Sequence, residues 1–443
     1  MGDTNFVQRS VDAIRQSVTV KMFIVGFLIL ILLIPASMVK SLIRERQNRS
    51  HEAVEEISSK WGGAQTITGP VLSIPYRKYF TQKDGTRRYE TYVAHFLPKA
   101  LDVEGALKPE IRYRGIYKAV LYNAVVQLNG HFARPDFASL DINESNVQWD
   151  RATFSLGISD MTGIKEAITP VFGKARVSMN PGVENQDVLS SGVSVRLPRG
   201  VASRSGIPFS MNLNINGSSR IRFTPVGEVT TVKLNSDWKS PSFDGAFLPV
   251  ERTIDDTGFS ASWKVLHLNR NYPQAWIGSR KHISDSAFGV KLFVAANVYQ
   301  QATRTAKYAV LFVVLTFTTF FFSEIIDRRR LHPIQYLLIG FGIIIFYSLL
   351  IALSEHIRFG FAYLIGSVAV VGLITAYART TLGNNRLTVL IGGILAILYG
   401  YLYMILQMED YALLMGSVGL FVSLAVIMYI TRRIDWYGTE DGK

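Results

Sequence analysis

The 443-residue chain contains no cysteine. That absence excludes a disulfide scaffold, a thiolate nucleophile, a cysteine-ligated zinc and an iron–sulfur cluster. Charge is also scarce. Asp, Glu, Lys and Arg make up 18% of the residues, against 48% hydrophobic ones. Soluble chains carry about a quarter charged residues, so this balance points to membrane spans. The seven histidines are His51, His95, His131, His267, His282, His332 and His356, and no two stand at the spacing of a metal pair such as HExxH. Walker, GxGxxG and GxSxG patterns are missing too. The adjacent carboxylates Glu55-Glu56 and Asp255-Asp256 point apart on a helix or a strand. No catalytic residue, metal site or cofactor is therefore expected, although a site assembled from distant residues stays open.

Long apolar runs are what the chain does have. Residues 22–39 are uncharged and lie between Lys21 and Lys40. At about 1.5 Å per residue this run just crosses a ~30 Å hydrocarbon core. The long preceding segment, 1–21, and the poor small-x-small site Pro35-Ala36-Ser37 favour an uncleaved anchor over a signal peptide. Residues 41–307 hold no comparable run. Five more follow closely, at 308–323, 335–353, 361–378, 387–407 and 411–430. Five such runs with short links are poorly explained as buried helices of a soluble core.

Charge orients the bundle. The links 324–334, 379–386 and 431–443 carry eight cations: Arg328, Arg329, Arg330, Arg379, Arg386, Arg432, Arg433 and Lys443. The opposite links, 354–360 and 408–410, carry one, Arg358, beside Glu355, Glu409 and Asp410. The positive-inside rule then places both termini in the cytoplasm and 41–307 outside. The first span taken alone disagrees, with Lys40, Arg44, Arg46 and Arg49 after it against Arg9, Arg15 and Lys21 before it. Long domains translocate with little regard to charge, so the C-terminal links decide.

Residues 42–61 read as a helix continuing the first span, with Val54, Ile57 and Trp61 on one face and no Gly or Pro before Gly62. Beyond Pro70 the period becomes two. Phe209, Met211, Leu213 and Ile215 alternate with polar residues, and Asn216-Gly217 followed by Ile221 and Phe223 predicts a hairpin. Val120–Leu128 and Phe259–Val265 alternate likewise. These patterns predict antiparallel sheets in a sandwich or open barrel. Short helices are expected near Asp160–Thr169 and leading into Tyr308. The 41–307 segment carries 34 Lys/Arg and 24 Asp/Glu, a diffuse basic excess suited to anionic headgroups.

Ionisable residues at the edges of the spans are the candidate functional groups, because a charge in the hydrocarbon costs at least ~2.5–3.5 kcal/mol at mid-depth. They are Glu324, His332, Glu355 and His356. Glu324 follows sixteen uncharged residues, 308–323, and should turn toward the bundle or the interface, with Arg328 one helical turn on or His332 as neighbours.

The string Trp61-Gly62-Gly63-Ala64-Gln65-Thr66-Ile67-Thr68-Gly69-Pro70, running on to Tyr76, resembles the signature of the CreD family of inner-membrane proteins. The resemblance continues at 209–227, 236–249, 315–324, 332–341, 354–367, 408–421 and 431–437. It implies an inner-membrane protein of Gram-negative bacteria, concerned with cell-envelope integrity and induced in an envelope-stress response. It supplies no reaction, ligand or catalytic residue.

The combined expectation is an integral membrane α-helical bundle of six spans plus a large β-rich extracytoplasmic domain. Its parts are a cytoplasmic segment 1–21, a span 22–39, a periplasmic domain 41–307 with a helical lead-in 42–61, a bundle 308–430 and a cytoplasmic tail 431–443. The domain would be anchored at both ends and would support envelope integrity without enzymatic activity. Membrane lipid and an unidentified periplasmic or membrane protein are the expected partners, and nucleic acid is not. A transporter or lipid-handling protein would need a polar path through the bundle. A membrane hydrolase of envelope polymers would need clustered acid, base or nucleophile groups in 41–307.

Overall fold

The computed structural model describes residues 18–432 apart from 85, 202–205, 280–281, 293–297, 328–330 and 409–410. The chain divides into two compact units, Met1–Arg49 with Ala296–Lys443, and Ser50–Ala295.

The first unit is helical. Helix α1, Val18–Trp61, starts here and continues without a break into the second unit. Val25, Leu28, Leu32, Ala36, Val39 and Ile43 form its buried stripe at helical spacing. Phe23, Phe27, Leu30 and Ile34 on the other side are exposed. Apolar surface on both sides is what a lipid solvent permits and water does not. After α2, Val298–Lys307, and α3, Ala309–Asp327, come α4, Pro333–Ser354, α5, Phe359–Leu382, α6, Asn385–Gln407, and α7, Ala412–Thr431. Among the described residues α1, α4, α5 and α6 are long and apolar enough to cross a membrane. The pair α2–α3, bent by 41°, makes a fifth if it is one span, and α7 contributes a shorter apolar stretch, Leu414–Tyr429. Pro333 opens α4 at a position where its missing N–H costs nothing.

The second unit is built on two sheets. The nine-stranded sheet runs Pro241–Gly245, Phe288–Leu292, Arg220–Thr224, Gln65–Thr81, Thr153–Ile158, Gly192–Arg196, Asn180–Pro181. Arg87–Phe96 pairs with the second half of Gln65–Thr81, and Ala275–Ile277 adds to Arg87–Phe96. The eight-stranded sheet runs Glu251–Asp255, Gly258–Leu266, Val229–Ser236, Ala100–Arg114, Tyr117–Phe132, Ile207–Ser218, Val171–Phe172, Ala175–Arg176. Leu72, Phe154 and Phe223 of one sheet and Tyr122, Leu213 and Trp263 of the other belong to one continuous core.

Three expectations need correction. The sheets are mixed and not purely antiparallel: Gln65–Thr81 pairs parallel with Arg220–Thr224, and Val229–Ser236 pairs parallel with Ala100–Arg114. Asn216-Gly217 does not close a hairpin. Ile207–Ser218 pairs with Tyr117–Phe132, Ser219 turns at φ 62°, and Arg220–Thr224 joins the other sheet. Gly217 is small because the Tyr122 ring covers it: a Cβ there would lie 2.2 Å from the Tyr122 hydroxyl. The helix expected near Asp160–Thr169 is a single 3₁₀ turn, Met161–Gly163, because Asp160 caps Thr162 and Ile164 bridges to Ile215. The helix expected before Tyr308 is α2.

Candidate functional site

The last two turns of helix α3 carry three phenylalanines, Ser323 and Glu324, before the helix closes at Asp327. Glu324 is only 7% exposed. A carboxylate buried that far must be hydrogen-bonded or paired with a cation. Here it has both. The Leu331 N–H donates to Oε1 at 3.0 Å, and the Tyr336 hydroxyl donates to Oε2 at 3.1 Å. Lys21, near the start of α1, forms an ion pair with Oε1. One carboxylate therefore ties together α1, the end of α3 and the first turn of α4. Arg328, the expected partner, lies outside the described residues, as do Arg329 and Arg330.

Glu355 sits at the other end of α4, as its C-terminal capping residue. Its side chain is 9% exposed. The Tyr299 hydroxyl of α2 donates to Oε1 at 3.2 Å, and Arg46 of α1 approaches Oε2 at 3.9 Å. Tyr336 and Glu355 are nineteen residues apart, about 28 Å along a helix, so the two sites stand roughly one hydrocarbon thickness from each other. Each pairs a bundle carboxylate with a tyrosine and with a cation of α1.

The two histidines join neither site. His332 caps α4, its Nδ1 accepting from the Ile334 N–H at 3.3 Å while its own N–H donates to Gln335 Oε1 at 2.8 Å. Among the described residues no hydrogen bond or ion pair links it to Glu324. His356 is exposed, and its N–H closes the last turn of α4 on the Leu353 carbonyl. Among the described residues no group of three or more His, Asp or Glu side chains could hold a metal ion.

Comparison with known proteins decides the family. The sequence model described as Inner membrane protein CreD matches residues 17–437. This chain belongs to the CreD family. It is similar to Inner membrane protein CreD of Escherichia coli (strain K12), at 31% identity over 415 residues, which cover 92% of this chain and 91% of that protein. CreD membership and the four to five apolar helices make the chain a membrane-embedded protein. The name of the E. coli CreD protein carries no enzymatic activity.

The structure gives a local reason for the CreD string that begins at Trp61. The Trp61 indole N–H donates to the Tyr122 carbonyl at 3.3 Å, and the Gly63 N–H donates to Asp160 Oδ2 at 2.6 Å. Gln65 Nε2 donates to the carbonyls of Asp160 at 2.9 Å and Asn216 at 3.1 Å. Gly62 has φ +139°, and a Cβ there would lie 2.7 Å from the Asn216 carbonyl oxygen. The backbone passes too close, in a conformation too unusual, for any other residue. Burial works to raise the pKa of Asp160, but the hydrogen bonds from Gly63 and Thr162 outweigh it and hold the carboxyl below its ordinary range. This part of the CreD signature is a junction between a helix end and two sheets.

A hydrolase-like grouping lies among the described residues of the β unit. Ser73 Oγ lies 2.9 Å from His95 Nδ1, and His95 Nε2 lies 3.5 Å from Asp187 Oδ2. Ser73 is 6% exposed and His95 0%. Ser73 lies on a strand paired on both sides, opposite His95 and Thr153. A nucleophile must be reachable by its substrate. This hydroxyl instead shares a buried hydrogen bond with an imidazole whose pKa desolvation lowers, against the opposing pull of Asp187.

Sequence reasoning singled out both carboxylates but missed Lys21, Tyr336, Arg46 and Tyr299. A signal for the cations was present. Lys21 and Arg46 flank the first span on the sides where Glu324 and Glu355 end their own spans. Which carboxylate each cation meets depends on how the helices neighbour one another, and one sequence does not contain that.

Proposed function

We propose that this CreD-family chain supports cell-envelope integrity, within an envelope-stress response, through a β domain tethered to the inner membrane, and that it is not an enzyme. The observation that carries the reading is α1. It is one continuous helix whose residues up to Arg49 belong to the membrane unit and whose residues from Ser50 belong to the β unit. Its membrane portion is paired with Glu324 and Glu355, and its last residue is bonded into the β unit through Trp61. Such a helix is suited to carry a mechanical tether and offers no chemistry.

The full arrangement we propose has six spans, with α2–α3 as one and α7 as the last. The region 41–307 is periplasmic and a sandwich of two sheets, and both termini are cytoplasmic. The eight-to-one cation count supports the orientation, and the core shared by the two sheets supports the sandwich. Glu324 and Glu355 are the functional membrane residues, acting by holding α1 in register. His332 and His356 serve as helix-end residues. The partners are membrane lipid and an envelope or membrane protein, with no nucleic acid and no cofactor.

The test is complementation of a deletion strain under envelope stress. The full chain restores growth. A chain with a flexible Gly-Ser insertion after Arg49, present at normal level in the membrane, does not. Equal rescue by the interrupted chain would overturn the tether. The absence of cysteine makes the orientation separately testable: Ser240→Cys should label from outside intact cells and Thr380→Cys should not.

A further inference from the structure

We propose that the membrane unit carries a dedicated site for one anionic phospholipid, with an acyl chain in the groove between α5 and α6 and the phosphate at Arg358. This goes beyond the tethering role and stands without it.

The groove has a volume of about 850 Å³. Helix α5 lines it with Gly360, Leu364 and Val368, and α6 with Ala396, Gly400 and Tyr403. Spacings of three and four residues put each set on one helix face. The lining leaves bare backbone open at two points: a Cβ added at Gly372 or Gly400 would meet no atom within 4 Å. The floor is fixed. The Tyr363 hydroxyl donates to the Tyr399 carbonyl at 2.7 Å, the Tyr363 and Tyr403 rings pack at 5.3 Å, and Phe346 packs on Tyr399 at 4.8 Å. The groove is thus preformed, and an occupant need not spend binding energy opening it.

Its two ends differ in chemistry. One end carries Arg358, the Tyr403 ring and its hydroxyl, and Gln407. Among the described residues no ion pair or side-chain hydrogen bond engages Arg358 or Gln407. Arg358 is also the N-terminal capping residue of α5, a 24-residue helix whose positive dipole end adds to the attraction for an anion. A guanidinium matches the oxygens of a phosphate in a forked pair. From Arg358 to Gly372 the lining extends fourteen residues, about 21 Å, more than half of a ~30 Å core, and beyond Arg358 it is mostly apolar, with the Tyr363 and Ser367 hydroxyls already bonded to backbone carbonyls. A cationic, hydrogen-bonding end above a long apolar trough is complementary to a phosphate head on an acyl chain. A transmembrane helix of a second copy would fill the trough but leave Arg358 unanswered.

The probe is the full chain in nanodiscs of phosphatidylglycerol and phosphatidylethanolamine, extracted and read by native mass spectrometry. One retained phosphatidylglycerol is expected, preferred over phosphatidylethanolamine. Arg358→Gln should lower that preference by about tenfold or more, the loss of a charge-assisted bond. Gly400→Leu, which fills the groove, should abolish retention of either lipid. Gly393→Leu, also at an open helix position but not in the lining, should retain lipid as the parent does. Equal retention of both lipids by the parent chain would overturn the proposal. So would unchanged retention in Arg358→Gln and Gly400→Leu, or a protein dimer that occludes the groove.

Discussion

The Tyr336 hydroxyl donates to Oε2 of Glu324 across 3.1 Å, joining α4 to the end of α3. The other carboxylate oxygen takes the Leu331 N–H and Lys21. Every strong demand of a buried carboxylate is met, and met by groups from three chain segments. A buried ion pair contributes little net stability against an apolar replacement, but breaking one by removing a single partner is costly. The arrangement therefore specifies which helices are neighbours more than it stabilises them.

Replacing Glu324 tests this directly. Glu324→Ala leaves the Leu331 N–H and the Tyr336 hydroxyl without their acceptor, at about 1–3 kcal/mol for each unsatisfied buried group. Glu324→Gln keeps an acceptor oxygen and loses the ion pair, so its loss should be smaller. Tyr336→Phe should cost about 1 kcal/mol. Thermal unfolding of the detergent-solubilised full chain should rank them Ala, then Gln, then Phe, with insertion preserved and envelope protection reduced. Parent-like stability in Glu324→Ala would refute the burial argument.

The Arg46–Glu355 contact should be weaker than its counterpart. Arg46 is 40% exposed and stands 3.9 Å away, so water screens the pair. A double-mutant cycle on Arg46→Ala and Glu355→Gln should give a coupling below about 1 kcal/mol. The cycle on Lys21→Met and Glu324→Gln should give the larger value. A reversed order would show that depth does not govern these pairs.

The β unit should lose stability on mild acidification. Burial depresses the folded-state pKa of His95 below its unfolded value of about 6.5. The unfolded chain then binds the extra proton more readily, so the contribution is complete above about pH 6.5 and is lost as pH falls toward the folded value. His95→Asn, which keeps a hydrogen-bonding side chain beside Ser73 without a titrating group, should flatten the dependence of β-unit unfolding on pH between 7.5 and 5.5. An unchanged slope would remove His95 as its source.

Arg270 should matter to stability out of proportion to its place in a loop. It is 8% exposed and donates to the carbonyls of Tyr272 at 2.9 Å, Val226 at 3.1 Å and Gly227 at 3.2 Å, while lying over the Tyr272 ring at 4.2 Å. Arg270→Ala strands those carbonyls and should cost about 3 kcal/mol. Arg270→Lys lacks the planar fork and should recover only part of it. Limited proteolysis at neutral pH should detect both losses, in that order.

The apolar runs, the helix through Trp61 and the alternation of Phe209 to Ile215 were legible without a structure, because each is a local periodicity imposed by one solvent boundary. A bilayer demands about 20 apolar residues in a helix, and a half-buried strand demands every second residue. The Glu324 and Glu355 positions were legible for the same reason, since charge stands out against an apolar run. Asn216-Gly217 misled because glycine answers two needs that look identical in sequence: a turn, and room for a neighbour. Only the tertiary structure places the Tyr122 ring over Gly217. It alone pairs Gln65 with Ile221 in a parallel register and brings Lys21 to Glu324 across some three hundred residues. Such pairings follow from which faces bury together when the chain collapses. That is a property of many residues at once and leaves no mark on any short stretch of sequence.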